Sequence, residues 1–156
     1  RFGGIEADVT VTRLADCEFL VLSAPATAPR DLAWMRRHIT DEFVTVTDVT
    51  SGSAMLSVQG PRSRELLQAI SPNDWSNEAF PFLTAQKVEL GYTPLWALRV
   101  TYVGELGWDL VIPTEFGAKL YEQIREAGAD FGFQPTGLGA LSSLRSCRSP
   151  LPVLWR

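Results

Sequence analysis

Apolar and polar residues alternate near the start of the chain, where Ile5, Val9 and Val11 are interleaved with acids and threonines behind the glycine pair Gly3-Gly4. A period of two puts one set of side chains on one face of a strand, and the glycines supply a tight entry. A second apolar run, Glu18 to Ser23, follows the Asp16-Cys17 turn and ends at Ala24-Pro25, so the two segments predict a hairpin. The period then changes. From Asp31 onward Leu32, Trp34, Met35 and Ile39 recur at helical spacing, with Asp31 near the start and Arg36, Arg37 and His38 toward the end, an order that complements a helix dipole. Phe43 to Val49 alternates again, Ser51-Gly52-Ser53 turns the chain, and Ala54 to Gln59 reads as another strand.

At Gly60-Pro61 a proline stands where a helix can begin without losing a hydrogen bond, and Leu66, Leu67 and Ile70 supply the stripe such a helix would bury. Ser71-Pro72-Asn73-Asp74 ends it. Trp75 to Leu83 is an aromatic-rich loop whose rings are expected to plug the core rather than to stack on a ligand. Three strands follow, Ala85 to Leu90, Leu95 to Val103 and Trp108 to Ile112, joined by turns at Gly91-Tyr92-Thr93-Pro94 and Gly104-Glu105-Leu106-Gly107. Connections that short require antiparallel pairing. Thr114 is read as the cap of a helix carrying Phe116, Leu120, Tyr121, Ile124 and Ala127 on one face, with Gly128 to stop it. Thr136 to Arg145 begins a last helix. The pattern is that of an α+β domain, a largely antiparallel sheet with flanking helices.

Composition narrows the function classes. With 156 residues, 46% hydrophobic and 21% charged, the chain has the makings of one folded domain. The net charge is −4 and the basic residues are scattered, so no nucleic-acid partner is expected. One histidine, His38, and two distant cysteines, Cys17 and Cys147, cannot assemble a zinc site. No apolar run approaches the ~20 residues of a membrane helix, so no membrane partner is expected either. The chain opens on Arg1 and closes on a segment with Pro150 and Pro152 that breaks the helical pattern. The expected organisation is therefore a partial domain over residues 1–145, with its start upstream, and an atypical tail over 146–156 left by truncation or a change of frame.

Two carboxylates are placed for chemistry. Asp8 heads a strand behind a glycine turn, where a carboxylate can hold or deprotonate an amine; by its residue type alone a solvated acid at a strand end is the commoner case. Glu105 sits between Gly104 and Gly107 beside Tyr102 and Trp108, where glycines let a ligand approach and the carboxylate can accept paired N–H groups; the alternative is a hairpin turn that contains an acid. Gln59-Gly60-Pro61 lacks the spacing of a phosphate loop and reads as a structural corner. No nucleophile stands out, because there is no G-x-S-x-G turn and neither cysteine has an activating neighbour in sequence.

These same segments resemble the folate-binding domain of the aminomethyltransferase family, which includes the glycine-cleavage T-protein and the C-terminal halves of sarcosine and dimethylglycine dehydrogenases. The resemblance is carried by Gly3-Gly4-Ile5-Glu6-Ala7-Asp8-Val9-Thr10-Val11, Ser57-Val58-Gln59-Gly60-Pro61-Arg62-Ser63-Arg64, Ser76-Asn77-Glu78-Ala79-Phe80-Pro81-Phe82 and, most specifically, Tyr102-Val103-Gly104-Glu105-Leu106-Gly107-Trp108-Asp109-Leu110. It implies a division of labour in a parent enzyme. A flavin domain holding FAD oxidises an N-methyl amine, and tetrahydrofolate bound here captures the carbon as methylenetetrahydrofolate. On that resemblance Asp8 steers or accepts a proton near the reactive folate nitrogens, Glu105 holds the pterin, Tyr102 lies at the same pocket, and Arg145 is kept from the family's terminal arginine pattern. Leu141 stands where the family usually has another arginine. The resemblance also implies a flavin domain before Arg1, a small barrel after this segment, and little activity in the piece alone. It implies a mitochondrial matrix location in a eukaryote and a cytoplasmic one in a bacterium. Two other readings stay open: a non-catalytic subunit like the regulatory subunit of pyruvate dehydrogenase phosphatase, and a non-functional fragment.

Overall fold

A computed structural model of the chain describes residues 3–148, and these divide into two compact units, Arg1–Ser51 and Gly52–Arg156. In the first, β1 (Val9–Ala15) and β2 (Glu18–Ser23) form the expected antiparallel hairpin, in register from Val9 opposite Ser23, with an irregularity between Arg13 and Ala15. Helix α1 (Ala28–Arg37) starts four residues before Leu32, the first apolar position that marks it, because Pro29 occupies the first turn, where a missing N–H costs nothing. Asp31 is nearly buried and accepts hydrogen bonds from the hydroxyls of Ser23 and Thr27, which ties the end of β2 to the helix. Those hydroxyls, Ser23 first, hold its carboxyl below the usual carboxylate range.

The strand expected at Phe43 to Val49 does not form. Alternation alone does not make a strand; a ladder partner does, and among the described residues this segment pairs with none. Phe43, Val44 and Val49 are exposed. Local side-chain bonds take the backbone instead: Glu42 accepts from Thr40 N–H at 2.8 Å, and Asp48 accepts from Thr50 N–H at 3.0 Å at the start of the short 3-10 turn Thr50–Gly52.

The second unit is an antiparallel four-stranded sheet in the order β3-β6-β5-β4, where β3 is Ser53–Gln59, β4 Ala85–Leu90, β5 Thr93–Leu98 and β6 Gly107–Pro113. The α+β class expected from the pattern is therefore the observed one. Helices α2 (Ser63–Ala69) and α3 (Thr114–Gly128) supply Leu66, Leu67, Leu120 and Ile124 to a core that also takes Val58, Trp108, Leu110 and Ile112 from the sheet. The aromatic loop does plug this core. Trp75 and Phe80 are fully buried against Trp108, with ring centroids 5.2 to 6.0 Å apart, whereas Phe82 remains exposed. Gly91-Tyr92 closes β4 to β5 as a two-residue turn with both φ values positive, 51° and 65°.

Three local expectations are corrected. Strand β5 stops at Leu98, not Val103, since its ladder with β6 ends where Leu98 meets Asp109. Thr114 is the first residue of α3 and Pro113 its cap, without a side-chain capping bond. Gly128 keeps a helical φ of −68°; the left-handed residue is Gly132, and Gly128 is required because a Cβ there would lie 2.5 Å from Phe133 Cβ. Helix α4 (Leu138–Arg148) runs three residues past Arg145. The rest of the expected tail, residues 149–156, lies outside the described residues, as do Arg1 and Phe2.

Candidate functional site

The loop carrying Glu105 is held by a sharp corner between β3 and α2. Gly60 turns the chain with φ +125°, a value that side-chain-bearing residues rarely adopt, and donates its N–H to the Leu106 carbonyl at 2.7 Å. The Ser63 hydroxyl reaches the same carbonyl at 3.2 Å. Gly107, next in the loop, pairs with Gln59 so closely that a Cβ would lie 2.3 Å from Gln59 Oε1. The segment expected to be a tight hairpin turn is thus the last part of a longer excursion from Arg99, pinned to β3 rather than folded on itself.

Behind the pinned loop runs a chain of side-chain hydrogen bonds. Thr101 Oγ1 donates to Gln59 Oε1 at 2.7 Å, Gln59 Nε2 donates to Ser57 Oγ at 2.7 Å, and Ser57 Oγ donates to Asp109 Oδ1 at 2.6 Å. Burial raises the Asp109 carboxyl above its ordinary pKa, and the Ser57 hydrogen bond opposes that shift. Among the groups whose shift is resolved, Asp109 is the one carboxylate displaced upward, the direction burial imposes on an acid. Sequence reasoning passed over it. Its only signal was an acid on a strand between buried Trp108 and Leu110, which alternation assigns to the outward face.

Two cavities meet at Glu105. A groove of about 770 Å³ is lined by the β3–α2 corner, by Phe131 and Phe133, and by Leu141 and Leu144 of α4; a smaller cavity of about 350 Å³ is lined by Phe82, Arg99, Thr101 and the loop from Gly104 to Gly107. Glu105 lines both. Tyr102 and Arg145 come together: Arg145 Nη1 donates to the Tyr102 hydroxyl at 2.9 Å, and its guanidinium lies 4.7 Å from the ring centroid. Leu141 presents an apolar side to the larger groove. Asp8 belongs to the other compact unit, exposed and just ahead of β1. Of the four residues singled out in sequence, one pair is in direct contact, Glu105 shares their unit, and Asp8 does not.

The chain matches the family model for the GCVT N-terminal domain over residues 1–147. It belongs to that family. Among curated relatives, this GCVT domain is 40% identical over 143 residues to 4-methylaminobutanoate oxidase (formaldehyde-forming) of Paenarthrobacter nicotinovorans, covering 92% of the chain and 17% of the relative. It is 33% identical over 145 residues to mitochondrial dimethylglycine dehydrogenase of Rattus norvegicus, with the same coverages. It is 35% identical over 150 residues to the aminomethyltransferase of Shouchella clausii, covering 96% of the chain and 40% of that protein. The chain thus spans less than half the length of these relatives. Its fold matches a chain of heterotetrameric sarcosine oxidase from Corynebacterium sp. U-96 with a TM-score of 0.68 at 21% identity, covering 86% of this chain and 66% of the other.

Proposed function

We propose that this GCVT domain binds tetrahydrofolate in the larger groove and serves a parent enzyme that oxidises an N-methyl amine with a flavin. The observation that carries the reading is a largely apolar groove with the Glu105 carboxylate on its wall and the half-buried Asp109 hydrogen-bonded to Ser57, another of its lining residues. A pterin asks for that combination: a flat apolar surface for its rings and a carboxylate to accept two parallel N–H groups. A groove of about 770 Å³ is in the range that receives ligands of this size. Bound there, tetrahydrofolate would supply a nucleophilic nitrogen for a one-carbon unit. Glu105 would orient the pterin, Asp109 would act on the groove wall through Ser57, and the Tyr102–Arg145 pair is proposed to assist from beside the lining residue Leu144. Asp8 is proposed to hold or accept a proton in the assembled parent protein.

The names of the relatives support the amine chemistry, since oxidation of methylamino and dimethylamino acids recurs among them. They include mitochondrial and bacterial proteins, which supports a matrix location in a eukaryote and a cytoplasmic one in a bacterium. Isothermal titration of the chain with tetrahydrofolate tests the proposal. Saturable heat that falls about tenfold or more in affinity in Glu105→Ala or Asp109→Asn supports it, as expected for losing one charge-assisted contact. A folded chain that gives no saturable heat contradicts it.

A further inference from the structure

Among the described residues of the Gly52–Arg156 unit, two neighbouring arginines form no ion pair with a carboxylate. Arg64 on α2 donates from Nε to the Trp75 carbonyl at 2.7 Å and from Nη2 to Asn77 Oδ1 at 2.6 Å. Arg99, just beyond β5, donates from Nη1 to the Phe80 carbonyl and from Nη2 to the same Asn77 oxygen at 2.6 Å. Their guanidinium carbons lie 5.8 and 5.5 Å from the centroid of the buried Trp108 ring. One uncharged oxygen therefore gathers two cations, and among the described residues neither forms an ion pair. Burial, and after it the charge of Arg64, lowers the Arg99 pKa, although a guanidinium stays protonated throughout the working range.

A clamp that only fastened the aromatic loop to the sheet would need one of these cations, and the second adds repulsion. An anion bridging them removes that cost. Each guanidinium also keeps N–H groups to spare, because it has five and spends two here. Arg99 and the exposed ring of Phe82 both line the cavity of about 350 Å³. The next residue, Leu83, sits at φ 62°, a strained value for leucine, and is fastened to Arg99 by Leu83 N–H to Arg99 O at 3.1 Å, with Arg99 N–H to Thr84 O at 2.9 Å beside it. Backbone strain held in place at a cavity edge is the pattern of a positioned loop.

We propose that Arg64 and Arg99, joined through Asn77, form a subsite for the carboxylate of a small ligand beside the cavity that Arg99 and Phe82 line. A planar carboxylate fits the fork of a guanidinium, and Glu105, which lines the same cavity as Arg99, penalises a doubly charged phosphate more than a single carboxylate. The folate reading uses none of these four residues, although Glu105 lines both cavities.

Nitrogen-resolved NMR of the chain tests it, with the Trp108 indole N–H as reporter, since Trp108 Nε1 is buried without a hydrogen-bond partner near both guanidinium groups. Sodium acetate is titrated against sodium chloride at constant ionic strength. The expected result is a saturable shift with acetate at roughly 1–10 mM, the range open to a single small-anion contact set, and a midpoint about tenfold weaker in Arg99→Gln. Inorganic phosphate is expected to bind more weakly than acetate. An acetate response no different from chloride in the unmodified chain overturns the subsite, whether or not the variant folds. An unchanged midpoint in a folded Arg99→Gln overturns it as well, and phosphate binding tighter than acetate overturns the carboxylate assignment.

Discussion

Replacing Gly107 by alanine separates two opposed effects. Gly107 does not lie in the left-handed region, so alanine fits the backbone there, and stiffening the unfolded chain alone would stabilise by about 0.4–1 kcal/mol. The space argues the other way. A Cβ would sit 2.3 Å from Gln59 Oε1 and 2.9 Å from the Val58 carbonyl, so the Gln59 side chain must leave. It takes with it the bonds from Thr101 and to Ser57, each worth about 1 kcal/mol net, and the contact with the Val58 carbonyl adds roughly another 1 kcal/mol of strain. The balance is a loss of about 2 kcal/mol. For a unit of this size that lowers the melting temperature by roughly 8–15 °C. Urea unfolding followed by tryptophan fluorescence measures it. In a Gln59→Ala background the clash partner is already gone, so adding Gly107→Ala should cost less than about 0.5 kcal/mol more. A stabilised Gly107→Ala, or costs that simply add in the double variant, would refute the picture of a loop pinned to β3 through Gln59.

Three further outcomes follow from the same geometry. Because burial raises the Asp109 pKa in the folded state, the cost of its charge is present above that folded pKa and is gone below the unfolded value near ~3.9. Asp109→Asn should therefore melt higher than the unmodified chain at pH 7.5, with the difference vanishing by about pH 4; a difference that is constant with pH would contradict a buried carboxylate. Trp75→Ala empties the centre of the aromatic cluster and should cost about 3–5 kcal/mol in chemical unfolding; a loss under about 1 kcal/mol would mean that the loop does not belong to the core. In the parent protein, Asp8→Asn should leave amine oxidation nearly unchanged while lowering the yield of methylenetetrahydrofolate, and equal yields would remove Asp8 from the proposed chemistry.

Much of the fold was legible because the decisive information was local. The β1–β2 hairpin and α3 follow from local periods, which in α3 also pick out the buried Leu120 and Ile124 but in β1 mark Val9 and Val11, which are exposed, and the rings of Trp75 and Phe80 needed a core to fill. Phe43 to Val49 has the same alternation as β1, yet becoming a strand depends on a partner ladder elsewhere in the chain, which no local pattern encodes. The end of β5 shows the same limit. Apolar character runs on to Val103, but pairing stops at Leu98 because the loop is drawn toward the β3–α2 corner. At the candidate site, the glycines around Glu105 marked a place of close approach, and the contact between Tyr102 and Arg145 joins two residues already singled out by resemblance. Asp109 was hidden by its own alternation, which reads as a solvated face unless the chain from Ser57 to Thr101 is known. Arg64 and Arg99 were hidden for another reason: only the fold brings their guanidinium groups to one Asn77 oxygen.

The central proposal is that tetrahydrofolate binds in the larger groove, and amide chemical-shift mapping of the labelled chain tests it most directly. Saturable shifts concentrated along Ser57 to Ser63, at Glu105 and at Leu141 and Leu144, and lost in Glu105→Ala, are the predicted result. Shifts that avoid those positions, or a folded chain whose spectrum tetrahydrofolate leaves unchanged, would contradict it.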